Sequence, residues 1–580
     1  MNNNPSKEQL INQAFQFHLK GNIPEATKFY QYCINQGFKD HRVFSNYGVI
    51  LQNLGKLKEA EVSTRKAIEI KPDFANAHSN LGNILRDLQK SKEAAISYRK
   101  AIEINPNYAI AHSNLGNVLR DLRKLKDAEI SCRKAIDLNP NFADAHLNLG
   151  NVLRDLGKLK EAEISYRKVI EINPNYANAY SNLGIILRDL GKLKEAENYT
   201  RKAIELNPNY AIAHSNLGNI LIDLGKLQDA ELSICKAIEL NPDLAIAFYS
   251  LSKLKFSNKN TIWRDKLFSK NLLNNKSKKD KVNIYFARAN ILHEESNFKE
   301  SSRYLQFANN LKQNLNPTNF EYLLKRSKEL MLESNKEFYN KNDHTIFPES
   351  IFIVGMPRSG STLLESIFSM NNNVDDLGEK NIFEESFLDW KNPAQNSTLG
   401  EVYLKKLSTY GNELRTKTNK WLLNYLYTGI ISTQIPNAKI IHCFRNPLDN
   451  ILSMYRANFT KGHQYSSYLI DSAKVYLDQE EVMTQYKKRF KSNIYDLNYD
   501  LLVSNPIQEI KSLIRWLGWR WDDQYYSPHL NPRSVSTASN VQVRSPINSK
   551  SIGGWGNYKE MLRPAMEIIT QNDKYKDLKY

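Results

Sequence analysis

The chain has few cysteines and no long apolar run. Only four of its 580 residues are cysteine, and they lie too far apart for a disulfide framework or a metal-binding motif. No segment approaches the roughly eighteen consecutive apolar residues of a membrane-spanning helix, and the first residues are polar, unlike a secretory leader. From these absences we expect a cytoplasmic protein that has ordinary buried thiols, binds no metal and does not associate with membranes.

The chain also lacks a recognisable nucleic-acid-binding motif. Its formal net charge of +18 could favour nucleic acid or an anionic membrane. The lysines, however, are spread along predicted helices, and no aromatic and basic binding motif emerges. We therefore expect no nucleic-acid partner, and a positive field that attracts a small anionic donor. The length exceeds what one hydrophobic core usually supports, so we expect two or more domains.

The N-terminal half of the chain repeats itself every 34 residues. Prolines, glycines and alanines recur in one register from Phe44 to about Leu244. The glycines and alanines suit positions where two helices cross closely, and each proline ends the second helix of a pair. The prolines are Pro72, Pro106, Pro140, Pro174, Pro208 and Pro242, and the glycines are Gly48, Gly82, Gly116, Gly150, Gly184 and Gly218. This period and pattern resembles the tetratricopeptide repeat, a helix-turn-helix unit.

The repeats predict an α-helical superhelix with an extended concave wall, because neighbouring units supply the burial that one helix pair lacks. Weaker matches to the repeat precede the array at residues 7–40 and follow it at residues 281–312. A stretch rich in lysine and asparagine, residues 255–280, reads as a loop or a frayed helix. We assign residues 1–255 to the superhelix and residues 256–349 to a degenerate repeat and a helical linker.

One asparagine recurs in the first helix of each repeat. An amide can both donate and accept a hydrogen bond, so a ladder of asparagines could hold the backbone of an extended peptide whatever its side chains. The ladder resembles the one in the repeat array of O-linked N-acetylglucosamine transferases. The alternative is that asparagine is simply common in this chain. The candidate peptide-binding residues are Asn46, Asn80, Asn114, Asn148, Asn182 and Asn216.

An eight-residue stretch, residues 355–362, predicts a phosphate-binding loop. It follows the apolar residues 351–354 and precedes an apolar segment, so it should join a buried strand to a helix whose amide groups bind an anion. A nucleotide-hydrolysing loop has a lysine where this chain has Ser361, and the next strand ends without the aspartate that holds magnesium. We therefore expect a nucleotide bound without metal. The candidate loop residues are Pro357, Arg358, Ser359, Gly360, Ser361 and Thr362.

Short apolar strands alternate with helical segments beyond residue 350. The strands we predict are residues 351–354, 439–444 and 492–497. This alternation is typical of a parallel sheet flanked by helices, in which ligands bind at the carboxyl ends of the strands. The predicted fold is therefore an all-α tetratricopeptide superhelix followed by an α/β P-loop domain with a parallel central sheet, residues 350–580.

Four separated blocks of the C-terminal half follow one order: the loop, residues 419–424, residues 444–455 and residues 537–547. Together they resemble the P-loop sulfotransferases that use 3′-phosphoadenosine 5′-phosphosulfate as donor, and more closely the tyrosylprotein sulfotransferase branch. The resemblance covers roughly residues 350–565. It implies that the loop binds the 5′-phosphosulfate, that residues 444–455 bind the 3′-phosphate, and that residues 537–547, here called the donor segment, contact the donor. The implied donor-binding residues beyond the loop are Arg445, Ser453, Tyr499, Ser539, Gln542, Val543, Ser551 and Trp555.

Three residues are candidates for catalysis. The branch places a glutamate after a glycine shortly beyond the first helix, which implies Glu379 as the base that takes the acceptor's proton. The block 419–424 resembles a family motif of the form Asp-Lys-x-x-x-Asn, with Asn419 in place of the aspartate and Lys420 retained. The resemblance further implies that Arg358 and Lys420 stabilise the bridging and sulfuryl oxygens, while the loop amides hold the 5′-phosphate.

Purely structural roles for several of these candidates stay open at this point. Glu379 could cap a helix, and Lys420 could be an ordinary surface lysine. Tyr499 could be a packed residue at a strand-to-helix junction, and Trp555 could be a core indole. The runner-up base is His442, which lies inside a predicted strand, where a lone histidine is more often a core residue.

The resemblance implies a sulfotransferase that moves a sulfuryl group from 3′-phosphoadenosine 5′-phosphosulfate to an acceptor hydroxyl, with protein tyrosine as a candidate acceptor. The repeat array would recruit the acceptor or a partner protein on its concave face. The alternative is a scaffold protein whose P-loop domain binds nucleotide but is catalytically inactive. Missing motifs argue against a kinase or a glycosyltransferase. Acceptor recognition should fall to the variable loops 380–415 and 456–475.

Overall fold

The computed structural model describes residues 6–254, 261–318, 320–336, 348–392, 397–410, 415–459, 462–531, 533, 535 and 537–578. Two compact units divide the chain, residues 1–208 and residues 209–580. The domain boundary predicted at residue 255 stays a prediction. The compact units instead group the last helix pair of the repeat array with the α/β domain.

The first unit is built entirely from paired helices in its described residues. Each repeat contributes two helices of similar length, and alanines occupy their crossing points without exposed surface. The degenerate repeat predicted at residues 7–40 is also a helix pair. The helices are α1 (Lys7–Leu19), α2 (Ile23–Asn35), α3 (His41–Asn53), α4 (Leu57–Ile70), α5 (Ala75–Asp87), α6 (Ser91–Ile104), α7 (Ala109–Asp121), α8 (Leu125–Leu138), α9 (Ala143–Asp155), α10 (Leu159–Ile172), α11 (Ala177–Asp189) and α12 (Leu193–Leu206).

The repeats alternate in how their two helices meet. Tyr98 and Tyr166 pack into the space left by Gly82 and Gly150, where an added Cβ would lie within 2.6 and 2.7 Å of the tyrosine rings. In the repeats between and beside them, the smaller side chains of Thr64, Cys132 and Thr200 occupy the same position. From α3 to α12 the array therefore repeats over two units rather than one, and the next pair departs from this alternation with Ile234 opposite Gly218.

The second unit begins with further helices of the repeat type. They are α13 (Ala211–Asp223), α14 (Leu227–Leu240), α15 (Ala245–Leu251), α16 (Thr261–Phe268), α17 (Lys278–Glu294), α18 (Phe298–Leu315) and α19 (Phe320–Glu333). The degenerate repeat predicted at residues 281–312 corresponds to the pair α17 and α18. Within residues 255–280, predicted as a loop or a frayed helix, the structure has the short helix α16 followed by turns up to α17, while residues 255–260 are outside the described part of the chain. Helix α16 is ordered by packing, because Leu267 is fully buried and its carbonyl accepts a hydrogen bond from Arg288 Nε at 2.9 Å.

A five-stranded sheet forms the centre of the α/β domain. Its order is β2-β3-β1-β4-β5, and every neighbouring pair is parallel. The strands are β1 (Ser350–Gly355), β2 (Val374–Asp376), β3 (Thr416–Asn419), β4 (Ala438–Phe444) and β5 (Ile494–Asn498), and the helices are α20 (Ser361–Phe368), α21 (Ile382–Trp390), α22 (Leu399–Leu407), α23 (Thr428–Gln434), α24 (Pro447–Tyr455), α25 (Leu469–Arg489), α26 (Tyr499–Ser504), α27 (Pro506–Leu517) and α28 (Lys559–Ile569). The predicted fold class is confirmed.

Strand β1 lies in the middle of the sheet and is buried on both faces. Its residues alternate between two apolar cores, as the two-residue period of a strand requires. Ile351 and Ile353 join the core under α20 and α27, whereas Phe352 and Val354 join the core under α21 to α23. This double burial fixes the carboxyl end of β1, from which the predicted phosphate-binding loop departs. Within the described residues, no helix combines the length and the apolar character needed to cross a membrane.

Candidate active site

The loop between β1 and α20 is held in a conformation that few residues tolerate. Gly360 has a φ of 97°, and a Cβ at this position would lie 2.3 Å from the ring of Tyr499. Arg358 has a φ of 69°, which is also in the left-handed region and is uncommon for a residue with a side chain. Helix α20 starts directly after Gly360, so its free amide groups face the space in front of the loop.

The guanidinium of Arg358 joins the loop to the donor segment. Its Nε donates to Ser453 Oγ at 3.0 Å, its Nη1 donates to Ser539 Oγ, and its Nη2 donates to Gln542 Oε1 at 2.7 Å. Burial and, to a lesser extent, the nearby charge of Arg445 lower the pKa of Arg358 to about 10. Three of the predicted donor-binding residues are thereby brought together around the half-buried guanidinium of a fourth, Arg358.

Arg445 lies at the carboxyl end of β4 and provides a second cation, which is buried. Its Nη2 donates to the carbonyl of Ser551 at 2.8 Å, and its guanidinium lies 4.7 Å from the centre of the Tyr499 ring. The Tyr499 hydroxyl is in turn 3.1 Å from Ser551 Oγ. Tyr499 is thus both the first residue of a helix after β5, as the structural interpretation predicted, and a neighbour of the candidate donor site.

The buried guanidinium of Arg445 and the half-buried one of Arg358 fit an anionic ligand. The nearest carboxylates to Arg445, those of Asp449 and Asp500, approach only to 3.9 and 3.8 Å, and its buried Nε has no hydrogen-bond partner among the described residues. Asp449 instead accepts from the backbone of Gly553 and Trp555, at 2.7 and 2.9 Å. The charge of Arg445 lowers the pKa of Arg358, and a negative group between two like charges would stabilise both. The residues present therefore suit the phosphate groups of a nucleotide.

Lys420 lies in a buried cluster with two glutamates on the other side of the loop. Its ammonium is fully buried, 3.2 Å from Glu365 Oε2, 2.9 Å from Glu379 Oε1 and 3.4 Å from Thr362 Oγ1. Burial alone would lower the pKa of Lys420, but the charges of Glu365 and Glu379 outweigh it and raise the pKa. The surface position considered for Lys420 is therefore wrong, because the end of β3 lies inside the domain.

The sequence reasoning missed Glu365. This carboxylate is 2% exposed, and it also accepts from Arg533 Nη2 at 2.9 Å. Burial would raise the pKa of Glu365, but Lys420 and Arg533 lower it overall, so the group is held as a carboxylate. The signal was a single acid within the apolar first turns of the helix that follows the loop, where a solvent-facing residue has little room.

Glu379 is the most accessible member of this cluster. Its side chain is 48% exposed, whereas Lys420 is completely buried, so Glu379 offers its second oxygen towards solvent or an acceptor. Asn419, which replaces the family's aspartate, donates to the carbonyl of Lys380 at 2.9 Å and accepts from Asn424 at 2.7 Å. Asn419 therefore fixes the backbone next to Glu379 without contributing a charge.

The remaining candidates occupy less central positions. Ser359, Ser361 and Val543 are buried, and Trp555 is half-buried against the core that includes α24 and α28. His442 is fully buried between Asp496, at 2.9 Å, and Gln479, at 2.6 Å, as expected for a core histidine. No group of three or more His, Cys, Asp or Glu side chains in the described part of the chain could hold a metal ion.

The ladder asparagines are half-buried on the first helices of their repeats. In the first unit, each side-chain amide nitrogen donates to the preceding repeat, and the partner alternates between a hydroxyl and another asparagine. The contacts are Asn46 to Tyr30, Asn80 to Ser45, Asn114 to Asn83, Asn148 to Ser113 and Asn182 to Asn151, at 3.4, 3.1, 3.2, 3.0 and 3.5 Å. Asn216 occupies the same position on α13. The ladder therefore contributes to the stacking of repeats, and its peptide-binding role stays a prediction.

Comparison with known families matches both halves of the chain. The profile described as "Sulfotransferase family" matches residues 348–523. The chain carries a sulfotransferase domain. Profiles described as "Tetratricopeptide repeat" or "TPR repeat" match residues 41–74, 82–122, 109–142, 141–209 and 181–245. The N-terminal array therefore consists of tetratricopeptide repeats, and the donor segment lies beyond the matched part of the sulfotransferase domain.

Two curated relatives share part of this chain. An "Uncharacterized protein" of Aquifex aeolicus (strain VF5) is 29% identical over 248 residues, which are 39% of this chain and 32% of the relative. A "Putative protein-tyrosine sulfotransferase" of Caenorhabditis briggsae is 24% identical over 241 residues, which are 36% of this chain and 81% of the relative. The chain thus spans about a third of the length of the Aquifex relative.

Two solved structures are also similar to parts of the chain. YrrB, described as a TPR protein with an unusual peptide-binding site, is 28% identical with a TM-score of 0.27, covering 32% of this chain and 96% of its own. MamA is 27% identical with a TM-score of 0.26, covering 28% of this chain and 96% of its own.

Proposed function

We propose that the sulfotransferase domain moves a sulfuryl group from 3′-phosphoadenosine 5′-phosphosulfate to an acceptor hydroxyl. The observation that carries this proposal is the position of Lys420, whose ammonium contacts both Thr362 of the loop and the half-exposed Glu379. A group bound by the loop and an acceptor next to Glu379 would therefore meet at one cation. Arg358 and Arg445 supply charge for the two ends of a bisphosphorylated nucleotide.

The proposed reaction exchanges one sulfur–oxygen bond for another. The acceptor oxygen forms a bond to sulfur, the bond between sulfur and the 5′-phosphate oxygen breaks, and adenosine 3′,5′-bisphosphate leaves. Glu379 takes the proton of the acceptor hydroxyl. Lys420 stabilises the charge on the sulfuryl and bridging oxygens. The contacts of Arg358 with Ser453, Ser539 and Gln542 support a role in holding the donor, beside the role at the sulfuryl oxygens implied by the family resemblance.

Titration calorimetry with two nucleotides tests donor recognition. We expect adenosine 3′,5′-bisphosphate to bind in the presence of a chelator, because cationic side chains replace the magnesium ion and the lysine of a nucleotide-hydrolysing loop. ATP with magnesium should bind far more weakly. Tight ATP binding that requires magnesium, without binding of the bisphosphate, would contradict the proposal.

An inactive domain that only binds the donor is the second candidate function. Two departures from the family motifs favour it: Asn419 replaces an aspartate, and Lys380 follows Glu379 where the branch usually has a second glutamate. Incubation with sulfur-labelled donor and a cell lysate separates the candidates. Labelled protein or small molecule supports the transferase, whereas bisphosphate binding without any label transfer supports the scaffold.

Protein tyrosine is the acceptor we propose to test first. The support is the printed name of the Caenorhabditis relative and the presence of a repeat array that could recruit a polypeptide. Peptides that accept the labelled sulfuryl group should no longer accept it when their tyrosine is replaced with phenylalanine. We also propose a cytoplasmic location, since all four cysteines are free and three of them are buried.

The asparagine ladder gives a testable prediction for acceptor recruitment. We expect the triple variant Asn80→Ala, Asn114→Ala, Asn148→Ala to raise the KM for peptide acceptors about 10- to 10³-fold without changing kcat, because each lost backbone clamp weakens binding by about 0.5–1.5 kcal/mol. The matched control replaces three exposed loop asparagines of the same array, Asn107, Asn141 and Asn175. An unchanged KM with a lowered melting temperature would assign the ladder to repeat stacking alone.

A further inference from the structure

The first helix of the last full repeat, α13, ends against the donor segment. Asp223 is the final residue of α13, and its side chain is completely buried. Its Oδ1 accepts from Asn540 Nδ2 at 2.6 Å. Its backbone carbonyl, at the open end of the helix, accepts from Val535 N at 3.0 Å and from Arg544 Nη2 at 3.3 Å. Asp223 thus contacts Val535, just before the donor segment, and both Asn540 and Arg544 within it.

The same position in the other repeats shows that this contact is a local specialisation. The first repeat of the array ends this helix at Asn53, and the four repeats after it have an aspartate there that is exposed or half-exposed and follows an arginine. In the last repeat, the residue before Asp223 is Ile222, which is 1% exposed. The equivalent aspartates are Asp87, Asp121, Asp155 and Asp189, and the preceding arginines are Arg86, Arg120, Arg154 and Arg188.

The turn after α13 is specialised in the same way. A Cβ on Gly225 would lie 2.9 Å from Arg544 Nε, so the guanidinium packs directly over the glycine backbone. The corresponding Gly157 and Gly191 have nothing within 4 Å of an added Cβ, and Arg123 takes the same place in another repeat. Asp223 and Gly225, at positions shared with other repeats, therefore contact the donor segment in this repeat.

The donor segment, which Asp223 contacts, is itself hydrogen-bonded to the phosphate-binding loop. Ser539, next to Asn540 in the chain, accepts from Arg358, as does Gln542 two residues further on. Thr537 Oγ1 lies 3.3 Å from Thr362 Oγ1. Asp223 is consequently one side-chain contact and one peptide bond away from the residues that orient Arg358.

We infer that Asp223 is a positioning residue for the donor site, and that the last tetratricopeptide repeat is a structural part of that site rather than only a recruitment surface. By fixing Asn540, Asp223 holds Ser539 and Gln542 where they orient Arg358 for the donor. Removing the side chain leaves the two backbone contacts of residue 223, so the segment stays attached but loses its register. This inference rests on the proposed donor.

Asp223→Ala, with Asp189→Ala as the matched control, tests the inference in the full chain. We expect the dissociation constant for adenosine 3′,5′-bisphosphate to rise about 5- to 100-fold in Asp223→Ala, the usual effect of one buried hydrogen bond, and to stay unchanged in Asp189→Ala. The KM for the donor should rise while kcat at saturating donor is retained. Asp223→Asn keeps an oxygen that can accept from Asn540 and should restore most of the affinity.

A second variant removes the same bond from the other side. Asn540→Ala should weaken bisphosphate binding as much as Asp223→Ala, and the double variant should be no weaker than either, because both remove one interaction. If Asp223→Ala does not fold, Asn540→Ala alone tests the positioning role of Asp223. Wild-type binding together with unchanged binding in Asp223→Ala or Asn540→Ala overturns this inference alone. Absence of bisphosphate binding by the wild type overturns the proposed function, and the inference with it.

Discussion

Lys420→Met should reduce sulfuryl transfer about 10²- to 10³-fold, the typical effect of removing one group that stabilises transition-state charge. It should also lower the stability of the second unit by about 3 kcal/mol, because it leaves the buried carboxylate of Glu365 with only one of its two cationic partners. Methionine has a similar length and an apolar end, so the change removes the charge with little change in volume. Both effects follow from the complete burial of the ammonium.

Tryptophan fluorescence measures the stability effect selectively. All seven tryptophans lie beyond residue 208, so a thermal melt followed by their emission reports the second unit, which contains Lys420, and not the first unit. Glu379→Gln is the matched control, since Glu379 contacts the same ammonium but is 48% exposed. It should lower turnover about 10²- to 10⁴-fold, as expected for a general base, with little change in the melt. Normal turnover in Lys420→Met would remove Lys420 from the mechanism.

Arg358→Ala should abolish measurable donor binding while leaving the unliganded fold as stable as the wild type. The lost cation holds the donor and orients three partners, so we expect turnover to fall about 10²- to 10³-fold. The same cation is poorly accommodated without a ligand, because burial and the charge of Arg445 lower its pKa to about 10. Losing its three hydrogen bonds and relieving this cost should roughly cancel, and the melting temperature should change by no more than about 2 °C.

Arg358→Lys separates charge from geometry at this position. Lysine keeps the positive charge but lacks the planar fork that reaches Ser453, Ser539 and Gln542 together. We expect donor affinity between those of the wild type and Arg358→Ala. Calorimetry with adenosine 3′,5′-bisphosphate and a thermal melt, run on the same samples, check both parts of the prediction. An Arg358→Ala protein that binds the bisphosphate as tightly as the wild type would exclude Arg358 from the donor site.

The parts of the fold that could be predicted are those whose sequence carries a strong local signal. The repeats are recognised by their 34-residue period. Strands β1 and β4 are recognised as apolar runs next to turn residues, and β5 as a short segment that includes Ile494 and Leu497. Strands β2 and β3 escaped prediction because they are short and polar. Lys417 in β3 is 1% exposed and is accommodated by an ion pair with Asp375 in β2 at 2.6 Å, an arrangement that hydrophobic patterning cannot reveal.

The candidate site was predictable where a motif named its residues, and not where distant segments meet. Arg358, Lys420 and Glu379 came from recognisable blocks. Glu365 was missed because a buried acid is recognised only by its partners, and Lys420 and Arg533 are far away in the sequence. Asp223 was missed for a related reason: four other repeats carry an aspartate at the same position, and it is the burial of this copy against the donor segment that gives it a different role.

The alternation of large and small residues between helix pairs sets the unit by which the array can grow or shrink. Tyr98 and Tyr166 donate to Asn83 and Asn151, the same oxygens that receive the next ladder asparagine, so adjacent repeats are not interchangeable. Gene duplication or loss of a single repeat would bring two like units together, with a tyrosine-bearing pair beside another or two small-residue pairs in succession. Recombination in steps of two repeats preserves every junction, and redesign of the array's length should respect the same parity.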